Sequence, residues 1–542
     1  MFKSFSRDIL EKKSFYIPLI IIAIMGYGFS LFNRTIGWDD FLRDHYFGDI
    51  ALAGRWGEAA WIRLLGLQSF DPFVDRFVAL LFLIVASVLF CLLLYSITKS
   101  KNVLSYSIAA SLFISYPLIN EIWEYCGANL FVAGGLALTT TTILLLRNNE
   151  RKIKWILISS VLLVLPISSY ESSIFYYLAL ICMVILMDNL FNGKYHCFKD
   201  AIITIGYFII PVFIAFIIRL IISVILRGVY DLPSVGGGAT DINWLTDAPS
   251  DVLFKIAGGN FLKYVLSALV YFPITEFLIA VVFFFLVTVS ISIRKKQWSF
   301  FLLGFLLLLS LFSQAFLQGT ALPYRTAQTL TLFIAFIGYM VVERVFIIDR
   351  KFIRIACYVF MFGICWYQAV YLNRLLGLNN LRSENEAFIV RSIGERLERD
   401  FDKKPVVFIS PYSSGTRITK SVSIGDDSWN ERLYNRIVKS MVPEGYTQYL
   451  SDRFVETNVN CATEEYSQIQ EIFAYYGYDI DVVGPVEKPH TPNYTHKDTR
   501  LLKDAQTVAE NCNMRPYEIY DNGDYLIVAL SNKRYFNYDD EE

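Results

Sequence analysis

Charge is scarce in this chain. Asp, Glu, Lys and Arg together make up 18% of its 542 residues, against 55% apolar and 16% aromatic. Too little polar surface is available to clothe a soluble globule, so a multi-span membrane protein is expected instead. The formal net charge is -1, which leaves no overall basic field to draw in nucleic acid. Histidine is rarer still, at four residues. His45 stands alone, and His490 and His496 have no partner at ligand spacing, so no metal site is read from them. The eight cysteines form no zinc-ribbon pattern. Cys91, Cys126, Cys182, Cys357 and Cys365 lie in or beside apolar runs. P-loop, dinucleotide and Ser/His/Asp patterns are missing, as are internal repeats and low-complexity stretches. No small-residue cleavage pattern follows the first apolar run, which passes straight into Phe32-Asn33-Arg34. That run is therefore read as a permanent span rather than a leader.

What the chain does have is long apolar runs. A bilayer core of about 30 Å takes roughly 20 helical residues. Unpaired backbone groups are not tolerated in lipid, so such runs are helices. Spans are expected near residues 15–33, 76–98, 103–119, 128–146, 155–170, 173–190, 201–225, 263–293, 298–316, 327–345 and 353–373. The run at 263–293 is too long for one straight span. Counting back about 20 residues from Arg294 reaches Ile274 and leaves Pro273 and Glu276 near one membrane boundary.

The loops alternate in charge. Lys12-Lys13, Lys99, Lys101, Arg147 through Lys154, Lys194, Lys199, Arg294-Lys295-Lys296 and Arg344 through Arg354 fall on one side. The opposite short loops, 120–127, 170–172 and 317–326, hold a single basic residue, Arg325. The basic side is the cytoplasmic one by the positive-inside rule. That places the N-terminus inside and, after an odd number of spans, the tail outside. Among the outer segments, 34–75 mixes apolar residues with Arg43, Arg55, Glu58 and Arg63 at helical spacing, which fits helices lying in the membrane interface. Segment 227–262 contains Gly236-Gly237-Gly238 between Pro233 and Pro249 and reads as a loop. The tail, 374–542, reads as a small α/β domain. Strands are expected at Val406–Ile409, Asp479–Val483 and Tyr525–Leu530, and helices at Trp429–Met441 and Glu464–Tyr475.

The polar residues that remain gather on the outer side. Gly37-Trp38-Asp39-Asp40 follows the first span directly. Asp40 is placed to cap a helix starting at Phe41. Equally, two adjacent carboxylates beside a low-dielectric surface can part in pKa, and one can serve as a general base. Arg325, in Pro323-Tyr324-Arg325, reads either as an arginine snorkelling to headgroups or as a bidentate phosphate ligand. Glu121, Glu124, Glu171 and Glu276 all fall at outer ends of spans. Each alone is an ordinary loop acid or cap; together with Asp39 and Asp40 they ring one level, where acids tend to face a polar cavity. Arg34, Arg43 and Arg55 offer counter-charges. No metal is required by this set, although a divalent ion on the acids stays open. The missing nucleotide motifs argue against a sugar-nucleotide donor. Cys461 and Cys512 are the only tail cysteines, and in an oxidising compartment they are expected to pair.

On its length, its eleven spans, Gly37 through Asp40, Pro323 through Arg325 and the outer tail, the chain resembles the integral-membrane O-antigen glucosyltransferases of the phage-type serotype-conversion family. More broadly it resembles glycosyltransferases of the GT-C fold. The resemblance implies a polytopic helical bundle, residues 1–373, with a periplasmic α/β domain, residues 374–542, in the bacterial inner membrane. It implies transfer of glucose from undecaprenyl-phosphate glucose to an O-antigen sugar, without a cofactor. Asp39 and Asp40 would be the catalytic acids and Arg325 the phosphate contact. Two other readings are an O-antigen polymerase and a lipid-linked sugar flippase or transporter. A transporter more often shows repeat symmetry and charges near the midplane, neither of which is evident here.

Overall fold

A computed structural model provides the fold. It describes residues 2–33, 54–67, 71–117, 122–123, 126–149, 152–193, 198–230, 248–256, 272–296, 298–319, 328–346, 350–401, 403–409, 466–482, 517–521 and 523–530. These fall into two compact units, divided between Gly377 and Leu378.

The first unit is helical. Turns at residues 2–10 precede α1 (Lys13–Phe32), α2 (Trp56–Leu65), α3 (Pro72–Thr98), α4 (Val103–Ser115) and α5 (Cys126–Asn148). There follow α6 (Ile153–Ser169), α7 (Ser172–Asn192), α8 (Phe198–Tyr230), α9 (Pro249–Ile256) and α10 (Phe272–Lys295). Next come α11 (Trp298–Leu311), α12 (Ser313–Gln318), α13 (Gln328–Phe346) and α14 (Lys351–Asp400). Eight of these helices are long and apolar enough to cross a membrane, and α4, α6 and α11 are shorter apolar helices. The chain is thus a polytopic helical membrane protein, and all eleven expected runs coincide with apolar helices.

Packing follows from which helices can approach closely. α3 lies along α5, α13 along α4, α6 between α5 and α8, and α7 against α11. Gly338 of α13 meets Leu112 of α4 where a side chain would not fit. α8, α10 and the span of α14 keep most of their apolar side chains outward, as lipid-facing helices do.

Several expectations need correction. The segment 227–262 is not all loop: α8 continues to Tyr230, and Pro249–Ile256 forms α9 with Val252 buried. Proline suits a first helical position, because its missing N–H is unused there. The run at 298–316 is broken at Phe312 into α11 and α12. The last apolar span, Lys351–Arg374, ends where expected, but its helix continues beyond it to Asp400. Among the described residues of the stretch 479–483, which end at Val482, strand pairing is a single bridge from Val482 to Val406.

The second unit is built on the end of α14, β1 (Val406–Ile409), α15 (Tyr466–Tyr475), β2 (Tyr517–Asp521) and β3 (Leu526–Leu530). The sheet order is β1-β3-β2. β1 runs parallel to β3, with Val407 opposite Ile527, and β2 runs antiparallel to β3. Val390, Ile393 and Leu397 of α14 join Phe408, Phe473, Ile519 and Val528 in one buried core. The β2–β3 turn uses Gly523 at φ +93, a left-handed conformation that glycine adopts without strain. Its N–H donates to Asp521 Oδ1 at 2.8 Å.

Candidate functional site

The C-terminal ends of α1, α6 and α8 and the N-terminal ends of α3 and α7 lie on one side of the bundle, as the contacts of Arg76 with Ser30 and of Arg219 with Glu171 show. Two buried arginines organise this side. Arg76, in the first turns of α3, is 1% exposed. Its Nη1 donates to the carbonyls of Ser30, at 3.1 Å, and Asn33, at 2.7 Å. α3 starts sharply just before it: Asp71 accepts hydrogen bonds from the N–H groups of Phe73 and Val74, and Pro72 takes the first helical position. Trp123 completes the lodging of α1. Its Nε1 donates to Ser30 Oγ at 3.2 Å, and its ring lies 4.4 Å from that of Tyr27.

Arg219 is the second. About twenty residues of helix separate it from Lys199, a rise of about 30 Å, so it lies at the other end of a span-length stretch of α8. There its Nη2 donates to Glu171 Oε1 at 2.6 Å and to the Gly54 carbonyl at 3.2 Å. Glu171 stands in the tight reversal between α6 and α7, where the Tyr170 N–H closes α6 on the Pro166 carbonyl. Arg55 Nε lies 3.7 Å from Glu171 Oε2, and its guanidinium sits over the Tyr170 ring, 5.5 Å from the centroid. One carboxylate is therefore bracketed by two guanidinium groups. Glu171 and Arg219 are 12% and 7% exposed, whereas Arg55 is 36% exposed.

The position of α2 depends on this corner. Gly57 packs so closely on Ser168 and Ser169 that a Cβ would collide with both. Trp61 fits over Gly134 of α5 and joins Ile122, Phe131, Val132 and Tyr170 in a buried cluster. Glu58 is buried as well. α2 packs along α6 and buries one face against protein. Small residues at the contact allow this, since they let backbones approach.

Buried arginines thus hold the carbonyls at both ends of residues 34–53. Asp39, Asp40, Arg34 and Arg43 belong to that stretch and lie outside the described residues. So do Glu121, Glu124, Arg325, Cys461 and Cys512. Glu276 lies in the helical backbone of α10, and its side chain is outside the description. Of the residues singled out from sequence, the structure brings Glu171 and Arg55 together. Arg219 and Arg76 were not singled out. A signal existed for Arg219: it is a lone cation in an apolar run, and such residues face protein or a polar cavity. Arg76, at the edge of its run, looked like a boundary residue. Among the described residues no group of three His, Cys, Asp or Glu side chains could hold a metal ion.

In this corner the guanidinium groups of Arg55 and Arg219 face one carboxylate, and Arg76 and Arg219 also hold backbone carbonyls. No curated protein matches the chain. The profile of the family described as Glucosyl transferase GtrII does match, over residues 28–369, well over half of the chain. The matched region begins inside α1, ends inside α14, and takes in Arg55, Arg76, Glu171 and Arg219. A multi-span helical bundle matched over residues 28–369, the chain belongs to the GtrII glucosyl transferase family.

Proposed function

We propose that this glucosyltransferase moves a glucosyl group from a polyprenyl-phosphate carrier, undecaprenyl-phosphate glucose, to a sugar of O-antigen at the periplasmic face. The observation that carries the reading is the charged corner at the end of the bundle opposite the basic loops, which holds both ends of the segment containing Asp39 and Asp40. A lipid-linked donor would reach that level from within the bilayer, with its phosphate at the headgroup plane.

In this reading an acceptor hydroxyl gives its proton to Asp39 or Asp40 and attacks the anomeric carbon. The bond from that carbon to the phosphate oxygen breaks with inversion, and the lipid phosphate leaves with the electron pair. Arg325 stabilises the leaving phosphate. Phosphate is a good leaving group, so one base and one cation suffice. No cofactor enters. Residues 1–373 form the transferase and 374–542 a periplasmic domain that contacts the acceptor, with Cys461 and Cys512 paired there. The N-terminus is cytoplasmic and the basic loops face the cytoplasm.

The test is reconstitution of the purified chain with radiolabelled undecaprenyl-phosphate glucose and isolated O-antigen. Label is expected in the polysaccharide. A change in chain length without added glucose would replace the reading by a polymerase, and movement of carrier without transfer by a flippase. A cytoplasmic reporter active at Glu542 would overturn the orientation.

A further inference from the structure

Several polar groups are buried in the bundle without a partner, and four of them belong to one corner. Asn129, near the start of α5, is 1% exposed. Among the described residues, neither its amide oxygen nor its amide nitrogen has a hydrogen-bond partner. The indole N–H groups of Trp56 and Trp61 on α2 are buried and unpartnered in the same sense. So is the hydroxyl of Ser172, the first residue of α7.

Close contacts place these four groups. A Cβ on Gly135 of α5 would lie 3.4 Å from Ser173 Oγ, and Thr140 Oγ1 lies 3.3 Å from Tyr176 Oη. The two contacts run in the same order along both helices, so α5 and α7 are parallel. Asn129 precedes Gly135 by a rise of about 9 Å, whereas α7 starts just before Ser173. About three turns separate Asn129 from Thr140, so Asn129 shares the face that Thr140 turns to α7. That face runs on past the start of α7, beside the reversal that carries Glu171. α2 reaches the same reversal. Arg55 lies over the Tyr170 ring and Gly57 packs on Ser168 and Ser169, with Trp56 between them in the chain. Trp61 shares its buried cluster with Tyr170 and with Val132 of α5.

A buried donor or acceptor with no partner forfeits the bonds it made in water, so such groups ordinarily have one. An apolar ligand would leave all four as they are. An anion would satisfy the N–H groups and leave the Asn129 carbonyl facing it. A sugar hydroxyl both donates and accepts, and a carboxamide can bond two neighbouring hydroxyls at once. We propose that Asn129, with Trp56, Trp61 and Ser172, holds the hydroxyls of the glucosyl group that the donor carries. The inference rests on the lipid-linked donor proposed above. It gives α2, α5 and α7 the part of donor recognition that reads the sugar and not the phosphate. Discrimination at such a site is steep, because a ligand without the hydroxyls leaves its buried polar groups unpaired.

The experiment uses the full chain in a neutral detergent without a sugar headgroup. Calorimetry reads its affinity for undecaprenyl-phosphate glucose and for undecaprenyl phosphate without the sugar. The wild type is expected to bind the glucosylated carrier at least about tenfold more tightly. Asn129→Leu, similar in size but apolar, should abolish that preference and leave the affinity for the bare carrier unchanged. It should also keep or raise the thermal midpoint, because it removes an unpartnered buried amide. A purely structural Asn129 would not separate the two carriers in this way. Trp56→Phe, which keeps an aromatic ring and removes the N–H, and Ser172→Ala should each lower the preference about two- to tenfold. They serve as the test if Asn129→Leu does not fold. Equal affinity of the wild type for the two carriers would overturn this inference and leave the donor reading intact. So would an undiminished preference in Asn129→Leu, the result expected if ordered water alone completes the amide, or in both of the other variants. Failure of the wild type to bind either carrier would overturn the donor reading and this inference with it.

Discussion

The Glu171–Arg219 pair can be broken from either side, and the two breaks should not add. Opposite charges about 4 Å apart attract by about 4 kcal/mol at an effective dielectric constant of 20. Against this stands a desolvation penalty of several kcal/mol for each ion. The intact pair therefore contributes little net stability, whereas removing one partner strands the other. Arg219→Met leaves Glu171 with only Arg55, at 3.7 Å and more exposed, and deprives the Gly54 carbonyl of its donor. Glu171→Leu leaves Arg219 buried with one carbonyl. Each single change should cost about 3–5 kcal/mol. The double variant Glu171→Leu/Arg219→Met should cost far less than their sum, with a coupling of about 2–3 kcal/mol. The assay is equilibrium unfolding of the purified chain in mixed micelles, with the four proteins of the cycle compared side by side. A coupling below about 0.5 kcal/mol would refute the argument, because it would mean that water screens the pair as it does a surface ion pair.

Four further predictions follow from named contacts and from the proposed chemistry. Asp39→Asn or Asp40→Asn should lower turnover about 10²–10⁴-fold for whichever residue is the base, with the double variant costing less than the product of the singles; near-normal glucosyl transfer in all three would remove both aspartates from the mechanism. Arg325→Lys should weaken donor use although charge is kept, since the planar fork is lost; donor affinity and turnover unchanged in both Arg325→Lys and Arg325→Ala would make the residue a headgroup anchor. Gly394→Ala should destabilise the C-terminal unit by about 1–3 kcal/mol, since a Cβ there would lie 2.5 Å from Tyr478 Cγ, at the rigid root of the ring; thermal unfolding of the variant checks this, and an unchanged midpoint would count against it. The Lys404 ammonium, 2.8 Å from both oxygens of Asp521, holds that carboxyl below the ordinary carboxylate value, with help from the Gly523 N–H. A depressed folded pKa contributes stability above the unfolded pKa and loses it as pH falls through the folded one, so Asp521→Asn should flatten the loss of tail stability below about pH 4; identical acid profiles would disprove it.

Hydrophobic length alone was enough to read the bundle. Lipid offers the backbone no partners, so any run of about twenty apolar residues has one available structure. The strands at 406–409 and 526–530 were legible for a related reason, as short apolar runs beside Pro405 and after Asn522-Gly523. β2 was not, because Tyr517–Asp521 alternates weakly and gains its partner only by folding back on β3. The span of α14 ends near residue 374 as expected, but the continuation of its helix was not legible; it persists because Val390, Ile393 and Leu397 find a new core. Composition likewise placed Glu171 and Arg55 at the outer face without saying what they meet. Glu171 is separated from Arg219 by 48 residues, and Arg76 from Asn33 by 43. Whether such a charge caps a helix, anchors to lipid or joins a buried pair depends on which helix lies beside it. That was decided by close contacts such as Gly57 on Ser168 and Ser169 and Gly134 under Trp61. A hydrophobic run specifies its own conformation through the solvent around it, whereas an ion pair exists only once packing has excluded that solvent and supplied the opposite charge.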